Sequence, residues 1–134
     1  MQGYFNQALK YVVKGFKYFF RENKGSMKKI VFKNLAYFQD DKISACLKEC
    51  PDLESLHFIQ STLNQETCKT IGKILSDYKN IRELDLSRSN IYQTYAKEIA
   101  DGLMRAKRIE VIRLRGVQSI GNGVNQILYN LAFS

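Results

Sequence analysis

Histidine, cysteine and closely spaced glycines are the residues through which this chain could do chemistry. His57 is the only histidine and lies between Leu56 and Phe58. In an alternating run of that kind it is expected on the outward side of a strand. Imidazole suits acid–base work and metal binding, but either role needs convergent partners, and the sequence supplies no second histidine, paired cysteine motif or serine elbow. No catalytic, metal or cofactor site is therefore expected, and His57 reads as a surface or interface residue. Cys46 and Cys50 are placed to share one side of a helix. They and Cys68 are expected as small apolar core residues. Three cysteines, an odd number without zinc-type spacing, fit a reducing compartment. Gly121-Asn122-Gly123 sits where a phosphate-binding turn could, between strand and helix, but lacks the full glycine pattern and reads as a tight turn.

The elements that must position these residues are set by an internal repeat. Leu53-Glu-Ser-Leu56-His-Phe58, Ile81-Arg-Glu-Leu84-Asp-Leu86 and Ile109-Glu-Val-Ile112-Arg-Leu114 share the pattern apolar-x-x-apolar-x-apolar and follow one another at a constant interval. Met27-Lys-Lys-Ile30-Val-Phe32 is a fourth copy, one slightly shorter interval upstream. Each copy predicts a short strand whose inward pair (Ile30 and Phe32, Leu56 and Phe58, Leu84 and Leu86, Ile112 and Leu114) enters a shared core. Apolar residues at helical spacing follow each strand: Ile43 and Leu47; Cys68, Ile71, Gly72, Ile74 and Leu75; Ala96, Ile99, Ala100 and Leu103; and finally Val124, Ile127, Leu128 and Leu131.

A unit of about 28 residues with one strand and one long helix resembles the ribonuclease-inhibitor class of leucine-rich repeats. The resemblance spans residues 27–134. It implies an α/β solenoid of about four strand–helix units with a parallel sheet. Leu84-Asp-Leu86-Ser-Arg-Ser89-Asn-Ile91 is its clearest copy, with Ser89 where that class has asparagine or cysteine. The equivalent positions are Leu35, Ser61 and Val117, so no polar ladder is expected along the array, and irregular turns are.

Charge divides the chain. Of the net +8, residues 1–29 carry +6 and residues 30–134 the other +2. Residues 1–26 form a separate unit in this reading: a basic amphipathic helix with Tyr4, Phe5, Ala8, Leu9, Val12, Val13, Phe16, Phe19 and Phe20 on one face. It could cap the repeats, anchor the chain or act as a retained targeting segment. As an anchor its residues are Phe5, Lys10, Lys14, Phe16, Lys17, Phe20 and Arg21. The outward strand positions form the second candidate surface: Lys29, Val31 and Lys33; Ser55, His57 and Ile59; Glu83, Asp85 and Ser87; Val111, Arg113 and Arg115.

A basic helix before four such repeats is similar in architecture to the mitochondrial ATP synthase coupling factor B family. The expectation is a non-catalytic, protein-binding accessory or scaffold subunit of a larger respiratory-chain or ATP-synthase-type assembly, on the matrix side of the mitochondrial inner membrane. The alternative is a cytosolic or axonemal recognition adaptor. Other protein subunits are the expected partners, with peripheral contact to anionic lipid as a second mode. Nucleic acid is not expected, because the phenylalanines among the lysines share the apolar helix face.

Overall fold

The computed structural model describes residues 21–23, 25–35 and 40–120. The aromatic stripe up to Phe20, the Gly121-Asn122-Gly123 turn and the last apolar stripe lie outside them. Residues 21–23 are helical. From there the order is β1 (Lys29–Lys33), α1 (Asp40–Lys48), β2 (Ser55–Ile59), β3 (Thr62–Leu63), α2 (Gln65–Asp77), β4 (Glu83–Asp85), β5 (Asn90–Tyr92), α3 (Gln93–Arg105), β6 (Val111–Arg113) and β7 (Gln118–Ile120).

The chain is a mixed α/β protein built on a parallel four-stranded sheet of order β1-β2-β4-β6. Ser55 pairs with Lys29 on one side and with Glu83 on the other, and Glu83 pairs with Val111. Strand pairing thus matches the sequence repeat position for position, including the shorter first interval. A second parallel sheet, β3-β5-β7, follows the same spacing.

The core lies where the apolar sides of strands and helices meet. Ile30, Leu56, Phe58, Leu84 and Leu86 are buried against Ile43, Leu47, Cys68, Ile71, Ile74, Leu75, Ala96, Ile99, Ala100 and Leu103, while Phe32, Ile112 and Leu114 are half-buried at its margins. The Phe32 and Phe58 rings stack with centroids 5.0 Å apart, a direct result of their pairing across β1 and β2. Asn64 caps α2, its side chain accepting from the Thr67 N–H at 3.3 Å. This satisfies one of the donors that a helix start leaves open.

The turns correct one expectation. Asn34, Gln60, Arg88 and Gly116 all adopt a left-handed backbone, with φ of 60°, 51°, 58° and 69°. They recur at the strand offsets, so the turns are regular. Next to them a local polar ladder does form. The Leu35 N–H donates to Ser61 Oγ at 3.1 Å, and the Ser61 N–H donates to Ser89 Oγ at 3.1 Å. The Ser89 hydroxyl in turn donates to the Phe58 carbonyl at 2.7 Å, and that of Ser61 to the Ile59 carbonyl at 3.0 Å. Serine, although shorter than asparagine, serves as both acceptor and donor and is buried at both positions.

Helices α2 and α3 meet backbone to backbone. A Cβ on Gly72 would lie 2.3 Å from the Glu98 carbonyl oxygen, and one on Gly102 would lie 2.5 Å from that of Gly72. Alanine is the better helix former by about 1 kcal/mol, yet neither backbone can yield to a new methyl group without separating the helices. Gly102→Ala is therefore expected to destabilise the fold by about 1–3 kcal/mol in urea unfolding. A neutral or stabilising result would show that propensity outweighs the contact. Ser89→Ala leaves the buried Phe58 carbonyl and Ser61 N–H without this hydroxyl. It is expected to cost ~1–3 kcal/mol in the same assay.

Candidate functional site

Alternation along the four parallel strands sends every second side chain away from the core. The register arranges these side chains in rows. Lys29, Ser55, Glu83 and Val111 form the first, and Val31, His57, Asp85 and Arg113 the second. Lys33 and Ile59 begin the third, and Ser87 and Arg115 lie just past the ends of β4 and β6. The candidate residues of the sheet thus occupy one face. Of the candidate N-terminal anchor, Phe5, Lys10, Lys14, Phe16, Lys17 and Phe20 lie outside the described residues. Arg21 lies within them, 3.9 Å from Glu49.

His57 is not the outward, solvated residue that its alternation implies. It and Asp85 are only 9% and 8% exposed, because neighbours on the adjoining strands close over them. Glu83 Oε1 lies 2.5 Å from His57 Nε2, and Ser55 Oγ is 3.0 Å from the same nitrogen. Arg113 Nη1 lies 2.8 Å from that same Glu83 oxygen. On the other side of the ring, Asp85 Oδ2 is 4.0 Å from Nδ1, while Asp85 Oδ1 accepts from the Ser87 N–H at 2.9 Å and its hydroxyl at 2.5 Å. The cluster spans β2, β4 and β6.

These distances decide what the cluster can do. A carboxylate only accepts hydrogen bonds, so the 2.5 Å contact places a proton on His57 Nε2, directed at Glu83. That nitrogen has no lone pair with which to deprotonate Ser55. At 4.0 Å, Asp85 is too far from Nδ1 for a hydrogen bond. A serine, a histidine and an acid are adjacent here without the proton path that nucleophilic catalysis requires. The arrangement instead ties three strands together through one shared carboxylate. Burial alone would raise the pKa of Glu83, but the His57 hydrogen bond, the Arg113 charge and the Ser55 hydroxyl outweigh it and hold the carboxyl below its ordinary range.

The rest of the face differs in character. Lys29, Lys33 and Arg115 are exposed, and no ion pair joins any of them to an acid among the described residues. Val31 lies between the two lysines and is 41% exposed; the sequence places it on this face without marking it as unusual. Its signal is an apolar side chain flanked by charge at both next-but-one positions. On the helical side, a groove of about 420 Å³ between α2 and α3 is lined by Lys69, Lys73, Asp77, Glu98, Asp101 and Arg105. Charge of both signs alternates there with no net preference.

The cysteines are buried and form no disulfide. Burial, with Cys46 and Glu49 nearby, pushes the Cys50 thiol up to about 11, so it stays protonated and is a poor nucleophile. Burial likewise raises the Tyr78 phenol, to about 12, where it donates to the Leu47 carbonyl at 2.6 Å. No helix among the described residues is long and apolar enough to cross a membrane. The chain matches no family model and no curated protein.

The position of Glu83 predicts a pH signature. Its ionised form is favoured by the fold, so its stabilising contribution is complete above the ordinary carboxylate value of 4.5 and is lost as pH falls through the lower folded value. Glu83→Gln is expected to unfold at lower urea than the wild type at neutral pH, with the difference narrowing as the solution is acidified below that range. A gap independent of pH would show that the carboxylate charge is not what stabilises the cluster.

Proposed function

We propose that this chain is a short solenoid of the leucine-rich-repeat type. In this reading it serves as a non-catalytic docking subunit of a larger protein assembly, with the outward face of the four-stranded sheet as its binding surface. The observation that carries the reading is the contrast within that face. Its centre is locked by the Glu83 cluster, whereas Lys29, Lys33, Arg115 and Val31 at its flanks are exposed. The recurring offset of strands, turns and serines supports the solenoid architecture. Such arrays present extended surfaces by stacking units. In this reading the basic N-terminal segment is a second anchor, on a partner or on anionic lipid, and the assembly is a mitochondrial one of the respiratory-chain or ATP-synthase type.

Two measurements test this. Size-exclusion chromatography of native extract is expected to place the chain in a species far larger than its own 15.5 kDa; migration only as the free chain would refute a subunit role. A fluorescent fusion of the full chain is expected in mitochondria. Diffuse cytosolic signal would leave docking intact and replace the compartment with that of a cytosolic adaptor.

A further inference from the structure

We infer that the partner's contacting element is an acidic protein segment with an apolar residue at its middle. In this arrangement it lies along β1, held by Lys29 and Lys33 and seated on Val31 and Ile59. The inference rests on the docking reading and names the chemistry that would occupy the face.

Several charges on this face are already satisfied within the chain. Arg113 is spent on Glu83 at 2.8 Å, and Asp85 is occupied by Ser87. Among the described residues of this face, the charged side chains left without an ion pair or hydrogen bond are cationic: Lys29, Lys33 and Arg115. Lys29 and Lys33 flank Val31 on one strand, and Ile59 pairs directly with Lys33. Val31 and Met104 are the large hydrophobic residues left exposed among the described residues. On β1 an apolar seat is therefore bracketed by two cations at the two-residue period of a strand. An extended segment reading acid-x-apolar-x-acid complements that period.

Charge also excludes the chain's own N-terminal residues. Residues 1–20 contain Lys10, Lys14 and Lys17 and no acid, so they would meet like charge at these flanks. A lipid surface fits less well than a segment. Neighbouring strands lie ~4.8 Å apart, so β1 and β6 are separated by roughly 14 Å, and Glu83 and Asp85 stand between them. A continuous anionic surface would press on those two carboxylates, whereas a discrete segment along β1 avoids them.

The test uses the full chain in its native assembly, treated with a carbodiimide that joins lysine amines directly to carboxylates. Links from Lys29 and Lys33 to aspartate or glutamate of another protein are expected. A Lys29→Glu/Lys33→Glu double variant is expected to melt like the wild type, both lysines being exposed, while its assembly-bound fraction falls about tenfold or more. Val31→Asp should reduce binding similarly. Links confined to Lys69, Lys73 or Lys97 on the helices, or a double variant that stays fully bound, would overturn this inference and leave the docking role standing. Binding to phosphatidylserine vesicles that the double variant loses, without protein links, would replace the acidic segment by lipid. A chain that runs free of any assembly would remove the docking reading itself.

Discussion

A parallel strand completes its hydrogen bonds only with neighbours at a fixed chain offset, and the described body follows from that constraint. The near-constant offset brings the same backbone atom to the same task in each unit. The carbonyls of Lys28, Glu54 and Arg82 each receive two N–H groups from the next strand. At the turns, the N–H groups of Asn34, Gln60 and Arg88 donate to the carbonyls of Ile59, Ser87 and Arg115. Asn34, Gln60 and Arg88 hold their left-handed backbone without being glycine, at a conformational cost of about 1–2 kcal/mol each. The turn hydrogen bonds offset that cost, because without them the same groups would need other partners. A slip of one residue would turn Leu56 and Phe58 outward and bring His57 into the apolar layer, so the apolar pattern enforces the register.

Much of this is legible in the residues alone, and the reason is periodicity. The strand starts and the helical stripes around Ile71 and Ile99 recur at a near-constant spacing, and burial of an apolar face is the strongest signal a sequence carries. What escapes such reading depends on contacts between units. Alternation says that His57 leaves the core side; it does not say that Ser55, Glu83 and Arg113 will converge on it, since that requires the register of three strands at once. Ser61 and Ser89 break the asparagine pattern, yet a hydroxyl can accept from the N–H of the preceding turn while donating to a carbonyl at the end of β2, a capacity visible only when the turns are stacked. Gly102 inside α3 looks like a weak helix residue until the Gly72 carbonyl is found beside it.

The polar cluster on the outward face costs more to bury than apolar side chains would, because each charged group loses water. It is tolerated because its donors and acceptors are matched; among the described residues no buried side-chain nitrogen or oxygen lacks a partner. Matching has a second consequence. A carboxylate already shared by a histidine and an arginine has little left to offer a ligand, so the centre of the face contributes rigidity and register more than affinity.

In the docking role proposed above, selectivity falls to the flanks. The charges at Lys29, Lys33 and Arg115 are exposed, and exposed charges contribute modestly to affinity while steering encounter and rejecting partners of the same sign. They lie on a nearly neutral body, residues 30–134 carrying only +2, whereas residues 1–29 carry +6. Basic character at the start of the chain and on β1 therefore adds rather than cancels, and an acidic partner drawn by one is drawn by the other. Because long-range attraction between exposed charges is screened over roughly 8 Å at physiological ionic strength, it can bring such a partner near but cannot fix its position. Positioning requires contact, which on this face means Val31 and Ile59: apolar, close together, and aligned by the same register that buries Leu56 and Phe58 on the opposite side of the sheet.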